Sequence, residues 1–234
     1  MSKRSQSPEM SVAYELELFA RAQNWKKYWA KSISKYLNGA VVEVGAGIGI
    51  NAQYLLSDNV EALTLLEPDQ KLFSLLGETE YPERVSSVQG RLEDLNRSFD
   101  TILYIDVLEH IEDDGHETSC AYDHLTKGGH LVVLSPAWPF LYSPFDQAVG
   151  HHRRYTRASL RASVDPRLET VSEIYLDSVG LLASLANKLL LRASAPSDAQ
   201  VKLWDSLMVR MSKVLDPMLC YTAGKTIVGV YRKP

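Results

Sequence analysis

Hydrophobic positions at the start of the chain fall at helical intervals. Tyr14, Leu16, Phe19, Ala22, Trp25, Tyr28, Trp29, Ile33 and Tyr36 recur at steps of mostly three or four residues, which places them on one face. One or two amphipathic helices are therefore predicted before Asn38-Gly39, a pair that tolerates the left-handed backbone of a helix end. From there the pattern changes to short apolar runs separated by amphipathic ones. Strands are predicted at Ala40–Val44, Glu61–Leu66, Val85–Val88, Phe99–Ile105 and His130–Leu134, with helices at Asn51–Leu56, Gln70–Leu76 and Glu117–Leu125. Lys127-Gly128-Gly129 reads as the turn into the last of these strands. Buried, non-alternating strands that alternate with helices indicate a parallel sheet covered on both faces.

The last third follows another rhythm. Ser135–Tyr155 is rich in proline and aromatic residues without a period, and a long structured segment of that kind is usually functional. A strand at Glu169–Tyr175, a helix at Val179–Leu191, a second helix through Trp204, Met208, Met211 and Leu215, and a final strand at Thr226–Tyr231 complete the pattern. The predicted fold is α/β and doubly wound: a mostly parallel seven-stranded sheet with an antiparallel edge. Residues 1–10 are expected to be a disordered tail. Residues 11–234 are expected to form one domain, with cap helices at 12–37 and inserted cap elements at 138–156 and 179–215.

Composition narrows the class. With 234 residues, the chain has room for one sizeable core. A net charge of −4 supplies no general field for nucleic acid, so no nucleic-acid partner is expected. Cys120 and Cys220 lie far apart and read as free thiols. The polar first ten residues do not read as a secretory signal, and no apolar run is long enough to span a bilayer. A cytoplasmic enzyme or binding protein is expected, as a monomer or homodimer.

Two short motifs carry chemistry. Glu43-Val44-Gly45-Ala46-Gly47-Ile48-Gly49 follows a strand and precedes a helix, where glycines allow close approach of a ligand and the helix start presents free N–H groups. A tight turn without a ligand is the plain alternative, but three alternating glycines exceed what a turn needs. A dinucleotide fingerprint requires Gly or Ala where Ile50 stands. The acid two places before the first glycine suits a ligand bearing a cationic amine better than a pyrophosphate. The second motif, Leu63-Thr64-Leu65-Leu66-Glu67-Pro68-Asp69, puts a carboxylate at the tip of the second strand, where it can accept both hydroxyls of a ribose.

VVEVGAGIGINAQYLL, LTLLEPD, FDTILYIDVLEHIEDD and LTKGGHLVVLSP, taken in order, resemble the successive motifs of class I S-adenosylmethionine-dependent methyltransferases. The likeness runs from about residue 12 to residue 136; HHRRYT and GKTIVGVYRKP also resemble a bacterial type-11/12-like subgroup of small proteins. It implies the Rossmann-like methyltransferase fold, with S-adenosylmethionine as cofactor, S-adenosylhomocysteine as product and no metal. By the same resemblance Glu43, Gly45, Ala46, Gly47, Gly49 and Asn51 line the methionine end, and Glu67 and Pro68 the ribose and adenine. Asp106 would stand near the methionine amine or the acceptor. Many relatives have an acid after the glycine of Gln89-Gly90-Arg91-Leu92-Glu93; here Arg91 occupies that place, so the adenine contact passes to Leu92 or Glu93.

The acceptor side rests on Asp146 and Gly150-His151-His152-Arg153-Arg154-Tyr155. Histidine can act as a base near neutral pH, and arginine can clamp an anion. His151, His152 and Asp106 are the catalytic candidates. Tyr14, Trp25, Tyr28, His110, Asp146, Arg153, Arg154 and Tyr155 are the candidates for binding a small-molecule acceptor, with an anionic or lipid-linked one left open. The plain alternative is a loop pinned by arginine–acid pairs and a helical stripe of core aromatics. Adjacent histidines in extended chain point opposite ways, so no metal set is read from them. A nicotinamide-dependent oxidoreductase and a non-catalytic nucleotide-binding protein are the competing functions.

Overall fold

The computed structural model describes residues 20–188 and 197–234. The expected tail at 1–10 and Tyr14 lie outside the described residues, as do Leu189–Leu191 of the expected helix. In chain order the elements are α1 (Gln23–Ile33), β1 (Gly39–Val44), α2 (Ala52–Leu55), β2 (Val60–Glu67), α3 (Gln70–Leu76), β3 (Val85–Gln89) and β4 (Phe99–Ile105). Then come α4 (Asp114–His124), β5 (Leu125–Pro136), α5 (Pro144–Ala148), α6 (Arg157–Ser163), β6 (Glu169–Leu176) and α7 (Ser178–Ala186). The chain finishes with α8 (Asp198–Leu203), a π-turn at Trp204–Met208, α9 (Val209–Met218) and β7 (Thr226–Arg232).

The seven strands form one sheet in the order β3-β2-β1-β4-β5-β7-β6. Strands β1 to β5 pair in parallel, and β7 lies antiparallel between β5 and β6. The near-continuous apolar runs follow from burial on both faces. Val41, Leu103, Ile105, Val132 and Leu134 pack into one core, which includes Trp25, Trp29 and Ile33 of α1. Their neighbours Val42, Val44, Ile102, Tyr104, Leu131 and Val133 pack into the other. Successive residues point to opposite faces, so each strand feeds both cores.

The strand order reverses at β1, with β2 on one side and β4 on the other. A ligand crevice is expected beyond the carboxyl ends of the strands at such a point. Three local features depart from the sequence pattern. Lys127-Gly128-Gly129 is an irregularity inside β5, which already pairs at Leu125↔Phe99 and resumes at His130↔Thr101. Gly128 there adopts φ 81° and donates to the Lys233 carbonyl. Ser135–Tyr155 contains α5 and a single turn at Pro139–Leu141. Helix α6 shows no period over its seven residues, but it is capped by Thr156, whose hydroxyl accepts from Ser159 N.

Candidate active site

The turn leaving β1 is built from residues that need no Cβ. Gly45, Gly47 and Gly49 have φ of 67°, 59° and 75°, a region costly for any side chain. A Cβ at Gly45 would stand 2.8 Å from Val107 Cγ2, and one at Gly49 would stand 2.0 Å from the Tyr81 hydroxyl. Gly47 N donates to Glu67 Oε2 (2.8 Å) and Asp69 N to Glu67 Oε1 (2.9 Å). The first of these bonds, with Ala46 N donating to the Leu66 carbonyl at 3.0 Å, ties the turn after β1 to the tip of β2. Glu67 is buried, and that burial pushes its carboxyl above the usual range.

Beneath this turn lies Glu43, buried so completely that its carboxyl is pushed up to about 7. Asn51 Nδ2 donates to Glu43 Oε1 (2.7 Å), and Lys26 Nζ donates to Asn51 Oδ1 (3.0 Å). Among the described residues no hydrogen-bond donor reaches Glu43 Oε2. An acid with an unpartnered buried oxygen beside a glycine turn fits a cofactor with a cationic amine. Glu43 itself lies behind the wall, and Asn51, which donates to it, faces the ligand space.

That space is a cavity of about 1660 Å³ beyond the carboxyl ends of the parallel strands. Gly45, Ala46, Gly47, Asn51, Glu67 and Pro68 line one end. Arg91, Leu92 and Glu93 line the side beside β3, and Arg91 is also ion-paired with Glu93 at 3.7 Å. Asp106, at the tip of β4 with φ 54°, opens onto the middle, within the field of Lys26, His151 and Lys225. His110, His151 and Arg154 line the far end, and Trp25 and Trp204 contribute to the wall.

The 146–155 segment is held by a dense set of bonds. Arg154 Nε and Nη2 fork onto Asp146 at 2.7 and 2.9 Å, and Ser143 N and Oγ reach the same carboxylate at 2.9 and 2.7 Å. Burial alone would raise Asp146, but bonds from His151, Arg154 and Ser143 hold it well below the usual carboxylate range. Asp146 also meets His151 Nδ1 at 2.9 Å, fixing the ring with Nε2 4.0 Å from Glu109 Oε1. The His110 and His151 rings meet edge-on at 4.6 Å. Burial and the neighbouring His151 lower His110 to about 4.

Other residues marked in the sequence are placed away from the cavity. Arg153 Nη1 pairs with Asp114 at 2.7 Å, and Nη2 donates to the Glu112 carbonyl. Tyr155 is buried, its hydroxyl donating to Asp114 Oδ2 at 2.8 Å. Tyr28 donates to Asp216 Oδ2 at 2.8 Å within the helical layer. Asp146 lies behind the wall, as do Glu43 and Gly49. The His152 side chain is exposed while its N–H donates to the Glu109 carbonyl at 2.8 Å. The geometry therefore gives Asp146, Arg153 and Tyr155 bonds within their own chain in place of the acceptor contacts expected of them. Arg154 reaches the cavity, but with its fork already occupied.

A methyltransferase-domain family model matches residues 18–166 of the chain. The chain belongs to this family. Solved structures agree at the level of the fold. A chain from the complex of the Haloferax volcanii Trm112 methyltransferase activator with a methyltransferase is 14% identical, with 100% of both chains covered and a TM-score of 0.67. A geranyl diphosphate methyltransferase in complex with SAM is 13% identical, over 99% of this chain and 93% of that one (TM-score 0.63). An S-adenosylmethionine-dependent methyltransferase from Mesorhizobium loti is 15% identical, over 92% and 99% (TM-score 0.61). No curated protein matches the chain in sequence.

The methyltransferase carries two cavity residues that its sequence pattern did not mark, Lys26 and Lys225, and a buried acid, Glu109, behind the wall. Lys26 follows Trp25 on an amphipathic helix; burial lowers its ammonium, which donates to Asn51 beside the glycine turn. Lys225 Nζ sits 4.1 Å from the Trp204 ring centre and 3.9 Å from Asp177 Oδ2, and burial lowers it too. Glu109 is fully buried, its Oε2 accepting from Ser135 Oγ at 2.9 Å. One potential ligand atom from each of Glu109, His110 and His151 lies within 4.8 Å of the other two. Glu109 stood in plain view beside His110, but only the fold brings His151 to the pair.

Proposed function

We propose that this methyltransferase acts on a small-molecule acceptor held in the cavity beside the cofactor. The observation that carries the reading is the cavity's size and shape. A pocket for one drug-sized ligand measures roughly 300–1,000 Å³. The 1660 Å³ here leaves room for a second ligand, and the space runs from Glu67 past Asp106 to His151. Residues 138–156 and the helices within 179–215 contribute Leu141, Phe145, Ala183 and Trp204 to its walls, in keeping with a cap that excludes water from a small site.

Bound S-adenosylmethionine would supply a methyl group already activated by its sulfonium. Glu67 would accept the ribose hydroxyls, and Gly47 would let the ligand approach the backbone. Asn51, backed by Glu43 and Lys26, would meet the amino-acid end, and Leu92 and Glu93 the adenine. Transfer breaks the sulfur–methyl bond and forms the acceptor–methyl bond, so the chain's first task is alignment. An oxygen, nitrogen or carbon acceptor that carries a proton must also lose it, and that task falls to the Glu109–His110–His151 end. His151 is held there by Asp146. Lys225 takes the role of anion contact that the two arginines leave vacant. The glycine turn ends at Ile50, which also disfavours a nicotinamide dinucleotide.

Incubation of the protein with S-adenosylmethionine and a panel of hydroxylated, amino and carboxylated small molecules tests the reading. A product heavier by about 14 Da, the mass of CH2, supports it. Methylation of protein or nucleic acid, with no small molecule modified, would refute it.

A further inference from the structure

We propose that Glu109, His110 and His151 form a binding site for a divalent transition-metal ion at the acceptor end of the cavity. The three come from two segments, the loop after β4 and the segment before α6. The bond from His152 N to the Glu109 carbonyl (2.8 Å) staples those segments together. One potential ligand atom from each residue lies within 4.8 Å of the others, and the set is buried or half-buried. A shift of about an ångström would bring such atoms to the roughly 2 Å that imidazole and carboxylate ligands keep from a metal.

The surroundings are those of a ligand set. A metal-binding histidine usually donates its other ring N–H to a carboxylate or a backbone carbonyl, which fixes the ring and its tautomer. His151 does the first, with Nδ1 2.9 Å from Asp146 Oδ1. The Gly150 backbone stands beside the His110 ring as the corresponding partner for the second. Glu109 Oε2 is oriented by Ser135 Oγ. Asp146 is itself locked by Arg154 and Ser143, so the outer shell is rigid and its charge is already matched. Two imidazoles and one carboxylate favour a first-row transition ion over magnesium or calcium, which prefer oxygen alone.

Three protein ligands leave at least one coordination position open, and His110 and His151 both line the cavity. An acceptor hydroxyl bound there would ionise near neutral pH, its proton leaving to solvent and its lone pair left to attack the methyl carbon. The inference rests on the assignment of this end of the cavity to the acceptor. It gives the two imidazoles a shared ion to bind in place of a substrate proton.

Cobalt(II) is the probe. Full-length protein stripped by a chelator is titrated with Co²⁺, read by visible absorption, while binding of S-adenosylhomocysteine is measured calorimetrically on the same sample. One Co²⁺ per chain is expected, with a ligand-field spectrum that is lost in His110→Ala and in His151→Ala. Asp146→Asn should weaken Co²⁺ by about 10–100-fold through the second shell. His110 is only half-buried, so its variant keeps the test informative if His151→Ala does not fold. No stoichiometric binding by the wild type, or binding untouched by His110→Ala, overturns the site. If S-adenosylhomocysteine still binds, the metal site alone falls; if it does not, the cofactor assignment falls with it.

Discussion

Replacing Glu67 is the sharpest test of the cofactor assignment, because the structure fixes what each carboxylate oxygen does. Oε2 takes one bond from Gly47 N and Oε1 one from Asp69 N, leaving each oxygen a further lone pair toward the cavity. Two ribose hydroxyls would fill them with charge-assisted bonds worth about 1.5–3 kcal/mol each. Glu67→Ala should therefore cost about 3–6 kcal/mol of cofactor binding, a loss on the order of 10²–10⁴-fold in affinity. It also strands two backbone N–H groups, each worth about 1–3 kcal/mol if left without water, so a lower Tm is expected. Glu67→Gln separates the effects. One amide oxygen can still serve one N–H, while the NH2 opposes the other and cannot accept from ribose. Calorimetry with S-adenosylhomocysteine on the folded Gln variant should show at least a tenfold loss. An affinity equal to wild type in that variant would falsify the role given to Glu67.

Glu43 makes stability depend on pH. Its folded value of about 7 stands above that of an ordinary glutamate, so the folded state binds its proton more tightly. Stability from this group is greatest below about pH 4.5 and declines until the carboxyl is ionised above about pH 7. Glu43→Gln should remove that decline and raise Tm at pH 8, while weakening S-adenosylhomocysteine; a Tm difference that does not change with pH would contradict the burial argument. Gly47→Val should abolish cofactor binding, and Gly49→Ala should lower Tm through the Tyr81 contact and the left-handed backbone, both readable from one thermal scan with ligand. Arg154→Ala leaves Asp146 buried without its fork and should cost about 3–5 kcal/mol of stability, seen in urea denaturation; an unchanged midpoint would show the pair to be inert. Lys225→Met should raise the acceptor KM with little effect on S-adenosylhomocysteine, and an effect confined to kcat would remove Lys225 as an anion contact.

Fold class and the glycine turn at the tip of β1 were legible in the sequence because both are local. A strand buried on both faces is apolar on both, so β1, β2, β4 and β5 announce themselves as mostly apolar runs that do not alternate. A turn with three residues at positive φ must use glycine, so Gly45, Gly47 and Gly49 mark the ligand end of β1. Glu67 follows from its place at the tip of the next strand. Short elements carry less pattern. Helix α6 spans only seven residues, and no helix was expected there.

The far end of the cavity depended on the tertiary structure, because its groups are distant in sequence and their chemistry is decided by which partner arrives first. Arg153 and Arg154 look alike as free cations in HHRRY, yet one pairs with Asp114 and the other with Asp146. His151 and His152 stand side by side, and extended backbone sends one to the cavity and the other to solvent. Lys26 and Lys225 become cavity residues because α1 packs against the sheet and antiparallel β7 begins beside the carboxyl end of β5, with Thr226 opposite Pro136. Periodicity records which face of an element is buried. It cannot record which charged side chains from separate elements meet within hydrogen-bond reach, and that meeting decides whether an arginine is a clamp for a ligand or a pin for a loop.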